Sequence, residues 1–376
     1  MLQMIKYIKY ILILIVIHAY ANMSEPVDRG TIFGRPFVSE YVDIIHEDLD
    51  IKIDSLFNTA KFEITYHISA SKDGISIPFL FYAADLKDDF MVFIDNEPIK
   101  LMDIPDNLTI PDSTKFKDFS YFFSTESFDN YKNKKWVLLE DSPDGGFYLN
   151  LNDFLYFETN ISKGEHQIKA SYIAEKWRDG WDWVNEYSFR YALSPAKYWK
   201  SFGTLTISLD ATDYKNKLTT NIGKPTKGQL DKIAIWELDT LPTEILKIVF
   251  KPEINSKATA LIKIRPERLA YMVGIVLLII HLFLIYFYRR MKPQKRFSWI
   301  VIAGSIIFPF IFFVSWSEFY TLIDNIIGEY ASREHGYTGL QIILYPIVMP
   351  IYWAIMWLMD KWIKRKRNKN ALQHTI

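Results

Sequence analysis

Three stretches near the C-terminal end, 269–288, 297–316 and 340–359, each run from end to end without a charged side chain. At 1.5 Å rise per residue, a helix of that length covers about 30 Å, the thickness of bilayer hydrocarbon. In lipid every backbone polar group must be satisfied within the chain, so such segments cross as helices. Three of them gathered at one end of the chain argue for membrane spans over buried helices of a soluble protein. His281 lies just past the midpoint of the first, and an ionisable group at that depth is a functional candidate by default. A structural bridge between helices is the other reading, and Ser305, near the middle of the second span, is the expected partner. Pro309, Pro346 and Pro350 interrupt the spans and are expected to kink them.

The flanking charges orient these spans. Loop 289–296 holds Arg289, Arg290, Lys292, Lys295 and Arg296 and no anion, and the tail after the third span holds Lys361, Lys364, Arg365, Lys366, Arg367 and Lys369. The loop 317–339 instead carries Glu318, Asp324, Glu329 and Glu334 against Arg333. Cation-rich loops stay in the cytoplasm, so the region before the first span and the acidic loop are expected outside. The N-terminus agrees. Lys6 and Lys9 precede an apolar run over 10–17, and Ala19-Tyr20-Ala21 supplies small residues where a signal peptidase reads, which predicts cleavage after Ala21. About 12 apolar residues there are too few for a span, which needs about 20. Trp299, Trp316, Tyr320, Trp357 and Trp362 fall near span ends, as interfacial anchors do. The predicted order is signal peptide 1–21, ectodomain 22–268, spans at 269–288, 297–316 and 340–359, and a basic tail 360–376.

Residues 22–268 contain 30 Lys+Arg against 39 Asp+Glu, and the remainder carries the opposite surplus. An acidic ectodomain argues against nucleic acid as partner, since phosphate binding needs clustered cations. The chain has no cysteine, which removes disulfides, thiolate metal sites and cysteine nucleophiles together.

The ectodomain pattern has period two. Leu49, Ile51 and Ile53 alternate with Asp48, Asp50, Lys52 and Asp54, and Phe62, Ile64, Tyr66 and Ile68 alternate with Lys61, Glu63, Thr65, His67 and Ser69. These are half-buried strands joined through 55–60 as a hairpin. Similar alternation recurs at 90–95, 166–172, 205–209 and 246–250. Many short strands with turn signals between them predict an antiparallel sandwich-like fold, with an internal boundary near 175 and short helices at 118–131 and 185–200.

The densest chemical feature is Trp177-Arg178-Asp179-Gly180-Trp181-Asp182-Trp183, opening a concentration of aromatics that ends at Phe202. Exposed indoles beside carboxylates suit sugar rings or peptides, which makes Trp177, Asp179, Trp181 and Asp182 candidate ligand-binding residues. The same residues also suit a core corner turning at Asp179-Gly180. Of these, Trp183 is expected in the core and Trp181 part-exposed. The seven histidines, at 18, 46, 67, 166, 281, 335 and 374, include no pair at metal-ligand spacing. His46-Glu47-Asp48 opens a strand, so neighbours point to opposite faces. Asp141-Ser142-Pro143-Asp144-Gly145-Gly146 lacks the spacing of a calcium loop. No nucleophile elbow, phosphate loop or dinucleotide fingerprint occurs. No cofactor is therefore expected.

The stretch Tyr191-Ala192-Leu193-Ser194-Pro195-Ala196-Lys197-Tyr198-Trp199-Lys200-Ser201-Phe202-Gly203, and the early hairpin opening at His46-Glu47-Asp48, resemble uncharacterised secreted or membrane-anchored β-rich envelope proteins of the Bacteroidota. The resemblance implies a periplasmic ectodomain and helices in the inner membrane, and brings no catalytic residue. The expectation is a non-catalytic envelope membrane protein whose ectodomain binds a protein or glycan. The alternatives are an envelope hydrolase, or an accessory subunit of a membrane transport complex.

Overall fold

A computed structural model describes residues 31–36, 41–82, 85–102, 136–139, 147–150, 154–193, 199–243, 245–293, 295–335 and 338–373. The signal segment 1–21, the helix expected at 118–131 and the turn at 141–146 lie outside the described residues. The chain divides into two units, one of Val27–Asp179 and Glu186–Lys251, the other of Gly180–Asn185 and Pro252–Ile376 together with the N-terminal segment.

The first unit is built of strands. In chain order these are β1 (Thr31–Pro36), β2 (Val42–Ile53), β3 (Thr59–Ala70), β4 (Ile75–Tyr82), β5 (Leu86–Ile94) and β6 (Glu97–Pro98). Next come β7 (Trp136–Leu139), β8 (Phe147–Asn150), β9 (Phe154–Ile161), β10 (Gly164–Glu175), β11 (Trp177–Asp179) and β12 (Glu186–Ala192). The last are β13 (Ser201–Asp210), β14 (Thr219–Thr220), β15 (Lys227–Gly228), β16 (Ile233–Leu238) and β17 (Ile245–Phe250). One sheet runs β15-β16-β13-β2-β3-β10-β5-β6, a second runs β14-β17-β12-β1-β4-β9 with β11 attached to β12, and β7 pairs with β8. Pairing is antiparallel except β13 on β2 and β1 on β12. A strand over 186–192 replaces the helix expected at 185–200. Its run Tyr187-Ser188-Phe189-Arg190-Tyr191 alternates with period two and is buried against β17.

The hairpin β2–β3 forms at the predicted place, with Ile53 opposite Ala60, Ile51 opposite Phe62 and Leu49 opposite Ile64. Leu49, Ile51, Phe62, Ile64 and Leu205 are all buried in one core that takes side chains from both large sheets. Phe79, Phe157, Phe189 and Ile248 enter it from the second sheet. Each such side chain contributes about 1.5–3 kcal/mol when removed from water.

A bulge in β2 decides which residues that core receives. The β2–β3 register slips between Ile44 and His46. Before it the inward residues are Val42 and Ile44; after it they are Glu47, Leu49, Ile51 and Ile53. One extra residue has flipped the strand's parity. Gly203 makes room on the neighbouring strand, since a Cβ there would stand 2.0 Å from the Ile45 carbonyl oxygen.

The second unit is helical. Helix α1 (Ser256–Ile264) is capped by Asn255, whose side chain accepts from Lys257 N at 2.8 Å. Arg265, at φ +73°, breaks the chain before Pro266 opens α2 (Pro266–Met291). Helices α3 (Trp299–Ile327) and α4 (Tyr345–Gln373) follow. Among the described residues, three helices are long and apolar enough to cross a membrane. Their exposed faces carry Ile275, Ile279, Phe283, Ile306, Phe310 and Ile347, side chains that suit lipid. Pro309 and Pro350 lie inside helices. Pro346 does not interrupt one; it sits in the first turn of α4, where no intrahelical N–H is needed.

Candidate functional site

The aromatic segment divides between the two units. Trp177 and Asp179 belong to the short strand β11, which pairs with β12. Trp177 is half-buried, its indole N–H donates to the Asp85 carboxylate at 3.2 Å, and the Arg190 guanidinium lies 5.4 Å from its ring centre. This is the bonding of an indole fixed in the wall of its own sheet.

Gly180–Asn185 belongs to the helical unit and is stitched to the segment after α3. Asn185 N–H donates to the Tyr330 carbonyl at 2.8 Å, and Asn185 Nδ2 to the Ala331 carbonyl at 3.1 Å. The Ser332 N–H donates to the Trp183 carbonyl at 3.1 Å, and Val184 bridges Ala331 as in an antiparallel pair. Trp183 stacks on Tyr320 with ring centres 5.4 Å apart and 14° between planes, and its centre is 4.3 Å from that of His335. His335 in turn meets the Asp324 carboxylate at 2.7 and 2.8 Å, and Tyr320 donates to Glu267 at 2.5 Å. The core position expected for Trp183, against strands, is not where it lies. It is half-buried against a tyrosine and a histidine instead, because its neighbours Val184 and Asn185 bond outside the sheet. Asp182 Oδ1 accepts from Trp183 N at 2.9 Å. Trp181 is 43% exposed. Nothing in the sequence marks Tyr320 or His335 as neighbours of Trp183, since both come from far along the chain.

A second chemical feature lies in the sandwich core. The bulge turns Glu47 inward, 2% exposed. Tyr191 Oη donates to Glu47 Oε1 at 3.1 Å, and Tyr66 Oη is 2.9 Å from Tyr191 Oη. Burial pushes the carboxyl from 4.5 to about 7, and the tyrosine hydrogen bonds oppose that rise only in part. Burial, with the carboxylate next to them, raises both tyrosines well above their ordinary range. On the opposite face of the same sheet, His46 and His67 flank Asp48 at 3.0 and 3.3 Å. Glu47 and its two neighbours thus point to opposite faces. Among the described residues, no cluster of three or more metal-ligating side chains occurs.

In the helical unit His281 is fully buried, but Ser305 is not its partner. Its Nε2 meets the Ile300 carbonyl at 3.1 Å and its Nδ1 meets Tyr352 Oη at 3.0 Å. A carbonyl only accepts, so Nε2 carries the proton and Nδ1 accepts from the tyrosine. Ser305 Oγ is buried without a partner. The ring approaches α3 over Gly304, where a Cβ would stand 2.3 Å from Nε2. That glycine, one residue before Ser305, brings His281 level with the helix backbone and past the hydroxyl.

No protein-family model and no curated protein matches the chain. Among solved structures, a Legionella pneumophila protein proposed to bind nutrients overlaps 59% of this chain and 73% of its own, at 11% identity and a TM-score of 0.34. Yeast leukotriene A4 hydrolase overlaps 62% of this chain and 32% of its own, at 9% identity and a TM-score of 0.32. A zinc metallopeptidase of Deinococcus radiodurans overlaps 56% and 42%, at 7% identity and a TM-score of 0.28. This chain spans less than half the length of either of the last two. Overlaps of this size carry no argument about chemistry.

Proposed function

We propose that this chain is a non-catalytic membrane protein of a bacterial cell envelope, with its β-rich ectodomain outside the inner membrane and its basic tail in the cytoplasm, and that it binds a protein or glycan partner. The observation that carries the binding reading is the exposed Trp181 indole beside Asp182, on a turn whose other residues are held by backbone bonds and by the Trp183 stack. An exposed indole with a carboxylate beside it in the chain is the kind of surface on which sugar rings and peptides stack. The charge asymmetry of the loops supports the orientation. The hydrolase alternative draws no support from the deepest carboxylate of the sandwich, because Glu47 is sealed among tyrosines rather than set opposite a second acid in a cleft. His281 faces into the bundle, as the transport-subunit alternative requires, but both its ring nitrogens are engaged within the chain.

A membrane-impermeant crosslinker applied to spheroplasts expressing the tagged full chain tests the reading. The expected result is a discrete adduct with the native sequence that is weakened at least fivefold by Trp181→Ala, with thermal stability unchanged. Equal capture by Trp181→Ala, or adducts only after the membrane is permeabilised, would overturn it.

A further inference from the structure

At one end of the helical unit a cavity of about 260 Å³ opens between the α2–α3 connection, the start of α3 and the last turns of α4. Five cations line it, and one of them is already matched. Arg289 is 2% exposed and grips Asp360 with two bonds, Nε to Oδ1 at 2.7 Å and Nη2 to Oδ2 at 2.5 Å, while Nη1 donates to the Lys295 carbonyl at 2.6 Å. Arg296, Lys361, Lys364 and Arg365 line the same space and form no ion pair among the described residues. Lys364 donates to the Lys295 carbonyl at 3.2 Å, and Lys361 lies over the Trp357 ring.

Two observations point from this charge to a ligand. The cavity meets the N-terminal end of α3, a helix of 29 residues whose first N–H groups have no intrahelical acceptor. Ser298, the residue at the cap position, makes no side-chain capping bond. It is 3% exposed, lines the cavity, and its Oγ has no hydrogen-bond partner. A buried hydroxyl without a partner is costly, and here it sits where an anion would meet a helix N-terminus and four unmatched cations. Apart from Asn368, the rest of the lining is apolar, from Phe297, Val301, Ile302, Trp353 and Trp357, and Trp357 falls near a span end, where interfacial indoles gather. An occupant that combines an anionic head with an apolar body fits both halves.

We infer that this cavity binds the phosphate of an anionic phospholipid from the leaflet on that side, with Ser298 and the start of α3 donating to the phosphate. Arg296, Lys361 and Arg365 neutralise it, and the Arg289–Asp360 pair forms a rigid wall. The inference does not depend on a partner for the ectodomain. Titrating the detergent-purified full chain with dioleoyl phosphatidylglycerol or dioleoyl phosphatidylcholine, followed by native mass spectrometry, tests it. The expected result is at least a tenfold preference for phosphatidylglycerol. Ser298→Ala, which removes one oxygen and leaves the packing intact, should weaken it about threefold or more. Arg296→Gln with Arg365→Gln should weaken it further, roughly fivefold per cation by the energy of a charge near a membrane surface.

Equal binding of the two lipids overturns the inference. A preference for phosphatidylglycerol that Ser298→Ala leaves unchanged also overturns it, since diffuse surface charge then suffices. Displacement of phosphatidylglycerol by millimolar inorganic phosphate would assign the cavity to a free anion and overturn the lipid. If the double cation variant loses its helical circular dichroism, the Ser298→Ala and two-lipid comparisons still decide.

Discussion

Replacing Glu47 with Gln should make the ectodomain more stable at neutral and alkaline pH, although it removes a core carboxyl. The folded-state value of about 7 stands about 2.5 above the ordinary 4.5. The folded state therefore holds this proton more tightly than the unfolded chain. Stability from the group is fully present below pH 4.5, is lost as pH rises towards 7, and is flat beyond. At 1.36 kcal/mol per tenfold change in proton affinity, the loss is about 3 kcal/mol by pH 8, a sizeable part of a domain's roughly 5–15 kcal/mol. Gln keeps the shape, accepts from Tyr191 as the acid does, and cannot ionise. Urea denaturation of the full chain in micelles, followed through the β-sheet circular dichroism, should give equal midpoints for the two proteins at pH 4.5. By pH 8 the variant should be ahead by about 3 kcal/mol. Asp43 and Asp54 titrate lower and cancel in the difference between the two proteins. A wild-type-minus-variant difference that does not change with pH would show that Glu47 is not sealed and ionises as an exposed carboxyl does.

Two glycine substitutions test the close approaches. Gly203→Ala puts a Cβ 2.0 Å from the Ile45 carbonyl oxygen and should cost the ectodomain about 1–3 kcal/mol, as overpacking does; an unchanged urea midpoint would mean the bulge does not need that glycine. Gly304→Ala drives a Cβ to 2.3 Å from His281 Nε2 and should lower the thermal midpoint of the micelle-bound protein. Adding His281→Ala should restore part of that loss, and a double variant worse than the sum of the singles would refute the packing.

What the sequence made legible was periodic. Three long uncharged stretches place three helices, and Leu49, Ile51 and Ile53 against Phe62, Ile64 and Tyr66 place a hairpin, because burial repeats with the geometry of the element. The aromatic segment was legible as a feature but not as a geometry. Trp177 is fixed by Asp85 and Arg190, and Trp183 by Tyr320 and His335. Asp85, Tyr320 and His335 lie far off along the chain, and no local spacing encodes them. The basic residues after the first and third spans were legible as an orientation signal. That Arg289 is used internally by Asp360, while Arg296 and Arg365 are not, needed the packing of three helices.

The bulge in β2 shows why a short sequence window fails where function or stability is most concentrated. Read strictly by alternation from Val42, the inward positions would be Ile44, His46 and Asp48. Read backwards from Ile53, they would be Leu49, Glu47 and Ile45. Both patterns are present in the same strand, one register cannot satisfy both, and the slip between Ile44 and His46 absorbs one extra residue between them. Either the histidine–aspartate pair or the glutamate must then enter the core. The structure admits the glutamate, because protonation lets a single carboxyl become neutral inside, and Tyr66 and Tyr191 stand opposite to bond it. The pair His46 and Asp48 stays outside, where it meets His67, Thr204 and Thr206. The deciding partners are Tyr191 and Gly203, both far downstream. Alternation within β2 therefore shows two competing patterns, while the residues that choose between them belong to strands the window cannot see.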